Sequence, residues 1–272
     1  MARRWTKKEE NKYRSELFDL YTKKNKSLSE VSKILNISEQ AVFRRLKRLG
    51  IKTEPHLKKN YLKKRTDIKI PNKYSEDLAE FFGIMLGDGH ISHFQVVVSL
   101  GNKEEKYAEY VRRLIKKIFK TNVKISIRNN GYRDVYLGSV DITSWLLKEG
   151  LVHNKVKSQV DVPLWIFSKN NFIKRFLRGF FDTDGSVYKL KYGIQISFCN
   201  RSLPLLKSLQ LMLKKLEYNP SSISVYNLYL TRIEDLERFF TKIKPSNLKH
   251  VSRYLKIKNI LRRSDSGYSR GL

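Results

Sequence analysis

Two Asp-Gly pairs, Asp88-Gly89 and Asp184-Gly185, each close an apolar segment of this 272-residue chain, and the two aspartates lie 96 residues apart. Gly83 and Gly179 keep the same spacing, so each glycine stands five residues ahead of its aspartate. A glycine inside a helix costs about 1 kcal/mol against alanine. It is best explained by a second backbone passing close by. Gly83 with Gly87, and Gly179 with Thr183, place small residues one turn apart on each helix. Pairing these faces would bring the helix ends together, and Asp88 beside Asp184. Carboxylates placed there face the negative end of each helix dipole. They also repel one another enough to push a proton back onto one of them. Divalent cations with oxygen ligands remove both penalties.

The elements that must position this pair come as a repeat. In the first half Ser75-Glu76-Asp77 caps an apolar helix carrying Leu78, Phe81, Phe82, Met85 and Leu86. A strand at 94–99, a helix at 103–119, strands at 123–128 and 133–139, and a helix at 142–149 follow. The second half opens at Asn170-Asn171 with a helix carrying Phe172, Ile173, Phe176, Leu177, Phe180 and Phe181. A strand hairpin at 187–199, a helix at 204–216, strands at 223–225 and 228–230, and a helix at 233–243 follow in the same order. The second half reads α-β-β-α-β-β-α, and the first is taken as the same unit with one strand, 94–99, read before its second helix. The fold class is therefore α+β, with two pseudo-symmetric halves that bury their faces against each other.

Lys plus Arg number 56 and Asp plus Glu 26, a formal charge of +30 that favours a polyanionic partner. Hydrophobic residues at 40% and aromatics at 12% exclude a disordered basic tail. The single cysteine, Cys199, excludes a disulfide framework and a multi-cysteine zinc module, and it reads as a small buried hydrophobe. No run of 18 apolar residues crosses a membrane, and the N-terminus has no secretory pattern. The expectation is a cytoplasmic, nucleic-acid-associated protein. The chain starts with Met and has no Cys or Ser splice junction there, which reads as a free-standing protein.

Residues 1–52 read as a small helical module. Ser27-Leu28-Ser29-Glu30 has capping-box spacing and opens a helix with Val31, Ile34 and Leu35 on its apolar side. Asn36-Ile37-Ser38 breaks it and caps a second helix, 39–49, that buries Ala41, Val42, Leu46 and Leu49. Gly50 ends that helix. Its other face carries Gln40, Arg44, Arg45, Lys47 and Arg48, as the recognition helix of a DNA-binding helix-turn-helix does. Residues 53–75, with seven Lys/Arg against two acids, read as a basic linker along a phosphate backbone. The remaining domains are then 76–163, 164–260 and a basic tail at 261–272.

The segments from Phe82 to Gly89 and from Leu177 to Gly185 resemble the two signature helices of single-chain, two-motif LAGLIDADG homing endonucleases. Leu86 stands where that pattern often has an acid. The resemblance implies a monomeric, site-specific double-strand DNA endonuclease. Two four-stranded sheets would form a saddle over the major groove, with the signature helices between them. It implies that Asp88 and Asp184, with the backbone carbonyls of Gly87 and Thr183, hold two or three Mg²⁺ ions over the scissile phosphates. Asp182 would be structural. Basic residues near the metals would be Lys155 or Lys157, and Lys249. DNA-reading residues would be Ser92, His93, Gln95, Arg128 and Arg133 in the first half. In the second they would be Tyr188, Lys189, Lys191 and Gln195, joined by Tyr226 and Asn227. The competing readings are an RNA maturase and a transcription regulator on an inactive nuclease fold. Retention of both aspartates favours the nuclease.

Overall fold

The computed structural model describes residues 6–268 apart from 25, 52, 54–66 and 192, and leaves out the side chains of 7 and 262–268. Most of the proposed linker, and the end of the proposed tail at 269–272, lie outside the described residues. The chain divides into two compact units, Met1–Lys64 and Arg65–Leu272.

The small unit holds α1 (Lys7–Phe18), a π-helical turn (Asp19–Lys23), α2 (Leu28–Leu35) and α3 (Glu39–Arg48). Ser27 and Glu30 form the expected capping box, and Asn36, at φ 49°, ends α2. Ser38 caps α3, and Gly50 takes φ +68° beyond it. Helix α1 was not anticipated, although Thr6 and Glu9 form a second capping box with the same spacing. Leu17, Leu20 and Tyr21 complete a core with Val31, Val42 and Leu46. Ala41 and Leu49 are half-buried, and Ile34, expected inside, is exposed.

The large unit is built on two buried helices, α4 (Glu76–Leu86) and α7 (Asn170–Asp184). After α4 come β1 (Gly89–Ile91), β2 (Gln95–Leu100), α5 (Glu105–Phe119), β3 (Lys124–Ile127), β4 (Arg133–Gly138) and α6 (Val140–Lys148). A 3₁₀ turn, Leu164–Ser168, leads into α7. After α7 come β5 (Gly185–Leu190), β6 (Gly193–Cys199), α8 (Leu203–Lys215), β7 (Asn227–Leu230), α9 (Ile233–Arg238) with a π-helical turn to Ile243, and α10 (Leu248–Tyr268). The first sheet has four antiparallel strands in the order β1-β2-β4-β3.

Among the described residues the second sheet has three strands, β5-β6-β7, and not the four expected. Residues 223–225 contribute only the isolated bridge Ser224–Asn227. Beyond it the Ser221 amide donates to Tyr229 O, while the Tyr229 amide bonds the Ser221 hydroxyl, so the segment makes only part of a ladder. Val225 and Tyr226, both at positive φ, turn the chain sharply at that point.

Two further expectations change. Within the segment read as linker, Ile68 and Ile70 pack on the large core, Lys69 N–H donates to Phe119 O, and Thr121 donates to Asp67. Helix α10 continues through the stretch read as the start of a tail. Tyr254 and Ile257 anchor it, with Leu261 partly buried, at helical spacing that the sequence displays.

Candidate active site

Helices α4 and α7 cross where neither can carry a side chain. A Cβ on Gly83 would sit 2.2 Å from Phe176 O, and one on Gly179 would sit 2.1 Å from Glu80 O. One turn later, a Cβ on Gly87 would meet the Thr183 hydroxyl at 2.0 Å. The crossing fixes the two helix ends against each other. Asp88 leaves the first just beyond Gly87, and Asp184 is the last residue of the second.

The local field is costly for two carboxylates. Burial, then the charges of Asp184 and Glu104, push Asp88 up to about 7, against the pull of Lys155 and Lys249. Burial also raises Asp184, opposed by Lys155 and by a 3.0 Å hydrogen bond from the Asn200 amide. The Lys155 ammonium donates to the carbonyls of Gly87 and, at 3.2 Å, Met85. Burial lowers its pKa, while both aspartates support its charge. A cation thus already sits against the Gly87 carbonyl and answers both carboxylates.

Among the described residues no three His, Cys, Asp or Glu side chains gather as a closed metal cage. Two carboxylates and the carbonyls of Gly87 and Thr183 are hard oxygen donors. This is the sparse set that suits Mg²⁺, which keeps waters and completes its shell with substrate phosphate. The donor chemistry therefore fits a hard divalent cation.

Of the two lysines proposed near Asn154, Lys155 bonds the Gly87 carbonyl next to Asp88. Lys157 is exposed, with its amide on Asn154 Oδ1. Lys249 acts on Asp88 and pairs with Glu104 at 3.1 Å. Asp182 is fully buried and accepts the amides of Ser246 and Asn247, so it anchors the start of α10. The sequence reading missed Glu104, Asn200 and Asn247. Glu104 and Asn200 lie in the connections that lead from β2 to α5 and from β6 to α8.

Strand register sorts the proposed DNA-reading residues. On β2 the buried Val96, Val98 and Leu100 face the helices, leaving Gln95, Val97 and Ser99 on the open face. Arg128 belongs to the open side through its bidentate pair with Asp134 and its bond to Ser99. Arg133 does not: it pairs in register with Leu100, bonds Asn102 O and Glu105, and its side chain is only 15% exposed. Ser92 lies in the β1–β2 turn, where its hydroxyl donates to Gln95 O. His93 is exposed there, its ring beside that of His153.

In the second sheet Tyr188 and Gln195 pair on the open face. Lys189 pairs with buried Ile194 and belongs to the opposite face. Lys191 is exposed in the turn, and Tyr226 in the later hairpin. Asn227 pairs with Cys199, and Cys199 is exposed on the open face, not buried as expected, because it alternates with buried Phe198. On α3, Gln40, Arg44 and Lys47 are exposed. Arg48 instead pairs with Glu10, and Arg45 is half-buried near Tyr13 and Glu9 of α1.

Comparison with known proteins places these features. The replication factor C small subunit of Methanocaldococcus jannaschii is 30% identical over 131 residues, which cover 48% of this chain and 7% of that protein. The glutamine–fructose-6-phosphate aminotransferase of the same organism is 23% identical over 254 residues, 82% of this chain and 23% of the relative. The tRNA-splicing ligase RtcB of Pyrococcus furiosus is 29% identical over 133 residues, 42% of this chain and 14% of the relative. The chain spans less than a quarter of each of these relatives, whose names describe unrelated activities and carry none of them over. Among solved structures, the N-terminal LAGLIDADG domain of DUF199/WhiA aligns with a TM-score of 0.46 and 19% identity, over 62% of this chain and 81% of that one. The homing endonuclease I-DmoI, in complex with DNA and Mn, aligns with a TM-score of 0.44 and 14% identity, over 62% and 96%. The LAGLIDADG-like domain model matches residues 75–169 and 171–244, one segment on each crossing helix and the strands that follow it. With more than half of its length matched, the chain belongs to the LAGLIDADG-like domain family.

Proposed function

We propose that the chain is a site-specific double-strand DNA endonuclease that hydrolyses one phosphodiester in each strand with Mg²⁺. The observation that carries this reading is the placement of Asp88 and Asp184 at the ends of two glycine-crossed helices, with the Lys155 ammonium answering both. A protein that only bound DNA would gain nothing from two buried carboxylates next to a phosphate backbone.

In this reading Asp88 and Asp184, with the carbonyls of Gly87 and Thr183, hold the ions. Bound Mg²⁺ supplies an acidified water and neutralises charge on the phosphoryl oxygens. Lys155 and Lys249 stabilise the charge that develops on the phosphate during displacement. The open sheet faces, through Gln95, Arg128, Tyr188 and Gln195, face the duplex. The α2–α3 pair acts as a helix-turn-helix that adds a contact through Gln40, Arg44 and Lys47. The chain works as a monomer, since both carboxylates come from one polypeptide.

Selection of cut sites from a random duplex library in Mg²⁺ tests the reading directly. Wild-type protein should yield one extended site. The Asp88→Asn, Asp184→Asn double variant should bind that site in a gel-shift assay and cut neither strand. Cutting by the double variant would show that other groups carry the chemistry.

A further inference from the structure

The two halves surround their aspartates differently. Asp184 receives a neutral amide, Asn200 Nδ2, at 3.0 Å. The corresponding strand-to-helix connection of the first half supplies a carboxylate instead. Glu104 stands in that connection, just beyond the end of β2, where the Ser99 amide donates to Asp88 O at 3.3 Å.

Every bond to Glu104 ties it in place. Oε2 accepts the Gly101 amide at 2.7 Å, and Oε1 accepts Asn247 Nδ2 at 2.6 Å and Lys249 Nζ at 3.1 Å. Burial favours its neutral form, but these donors outweigh burial and hold the carboxyl below its usual range. Asn247 is in turn fixed by Asp182, and its Oδ1 accepts the Lys249 amide. Glu104 therefore reaches from the first half to the segment that starts α10 in the second. It grips the lysine there by its ammonium. Lys249 is thereby held to the half that carries Asp88, whereas Asp184 receives the Asn200 amide and Lys155 answers both aspartates.

We propose that Glu104 is a positioning residue that holds Lys249 on the Asp88 side, so that the two DNA strands are cut by unequal centres, one of them dependent on the Glu104–Lys249 pair. The inference rests on the nuclease reading for its consequence, but its geometric part does not. An exposed lysine of ordinary mobility could not stay beside one carboxylate. A charge-assisted bond to a carboxylate that is itself anchored by two further donors removes that freedom.

The first test needs neither metal nor DNA. Amine-reactive labelling of the metal-free chain, read by peptide mass spectrometry, reports the freedom of each lysine. Glu104→Gln should raise the labelling rate of Lys249 about threefold or more and leave Lys242 and Lys256 unchanged. An unchanged rate at Lys249 overturns the positioning role.

The second test follows single-turnover nicking of the selected duplex in Mg²⁺, with each strand labelled separately. Glu104→Gln and Lys249→Met should slow the same strand about tenfold or more and the other less than about twofold. The Glu104→Gln, Lys249→Met double variant should be no slower than Lys249→Met alone, since Glu104 acts through the lysine. Glu104→Asp, which keeps the charge, should recover part of the rate on that strand. Equal slowing of both strands, or additive losses in the double variant, overturns the proposal. Lys249 is exposed, so its variant folds and decides the strand question even if Glu104→Gln is unstable. A wild-type chain that labels as predicted but cuts no strand refutes the nuclease reading and the strand consequence, and leaves the Glu104–Lys249 geometry established.

Discussion

Asp88 ties the site to stability in a way that pH exposes. Its carboxyl is pushed up to about 7 by burial, by Asp184 and by Glu104. In the unfolded chain it returns to an ordinary value near 4. Between those values the folded protein holds a proton that the unfolded chain has released, so stability falls as pH rises from about 4 through 7. Below pH 4 both states are protonated and the cost vanishes. Asp88→Asn should therefore raise the melting temperature of the metal-free protein at pH 8 and leave it nearly unchanged at pH 4. At this size each kcal/mol corresponds to about 2–4 °C. Calorimetry in a chelator across that range checks it, and a gain as large at pH 4 as at pH 8 would remove the electrostatic account. The aspartates were legible because type, spacing and a flanking glycine all repeat. Glu104 was not, since it sits in the acidic run Glu104-Glu105 that any helix start could carry. Its role arises only when α10 of the other half arrives beside it. Lys155 and Lys157 were indistinguishable in sequence, and only the contact of Lys155 with Gly87 O separates them.

The helix crossing is the element on which the geometry depends. A methyl at Gly83 or Gly179 would run into a backbone carbonyl of the partner helix, and backbone cannot rotate away as a side chain can. Gly83→Ala should cost about 1–3 kcal/mol or more, in the range of overpacked cores. Gly193→Ala, in the open space of a strand end, should change stability by less than about 0.5 kcal/mol. Urea midpoints for the two variants make the comparison, and equal midpoints would mean that the helices separate easily. This crossing was readable from two sequence stretches because small residues one helical turn apart leave few alternatives. The sheets were less readable. Alternation on β2 gave the strand but not its face, and a one-residue shift reverses every side chain. Arg133 and Lys189 fell on the helix side for that reason, and Cys199 on the open one. Helix α1 went unread because its apolar residues, Leu17 and Phe18, cluster at one end and give no amphipathic stripe.

At the scale of the whole chain, the charge of +30 and the small N-terminal unit make separable predictions. Phosphate contacts release counterions, so the slope of log K against log salt should be steep, near −0.9 per contact. Fluorescence anisotropy between about 50 and 200 mM salt measures it, and a slope shallower than about −3 would rule out an extended basic DNA surface. The last prediction concerns what residues 1–52 add. If α3 contacts DNA through Gln40, Arg44 and Lys47, binding of the large unit raises the local concentration of the small one. Linked modules of this kind gain about 10²–10⁴-fold in affinity without any new contact at either site. The reach of the added contact is bounded by the chain. Residues 67–75 belong to the large unit, through Asp67, Ile68 and Ile70. A chain of the fifteen residues 52–66 cannot exceed roughly 50 Å at 3.3–3.6 Å per residue. One DNA helical turn is about 34–36 Å. The extra footprint should thus begin within about two turns of the region protected by the large unit, and at one end only. Deleting residues 1–52 should remove that flank and weaken binding at least tenfold. The cut position and the Mg²⁺ requirement should stay as they are, because Asp88, Asp184, Lys155 and Lys249 all lie in the large unit. A footprint and affinity unchanged by the deletion would show that α3 keeps its exposed Arg44 and Lys47 for solvent and not for DNA.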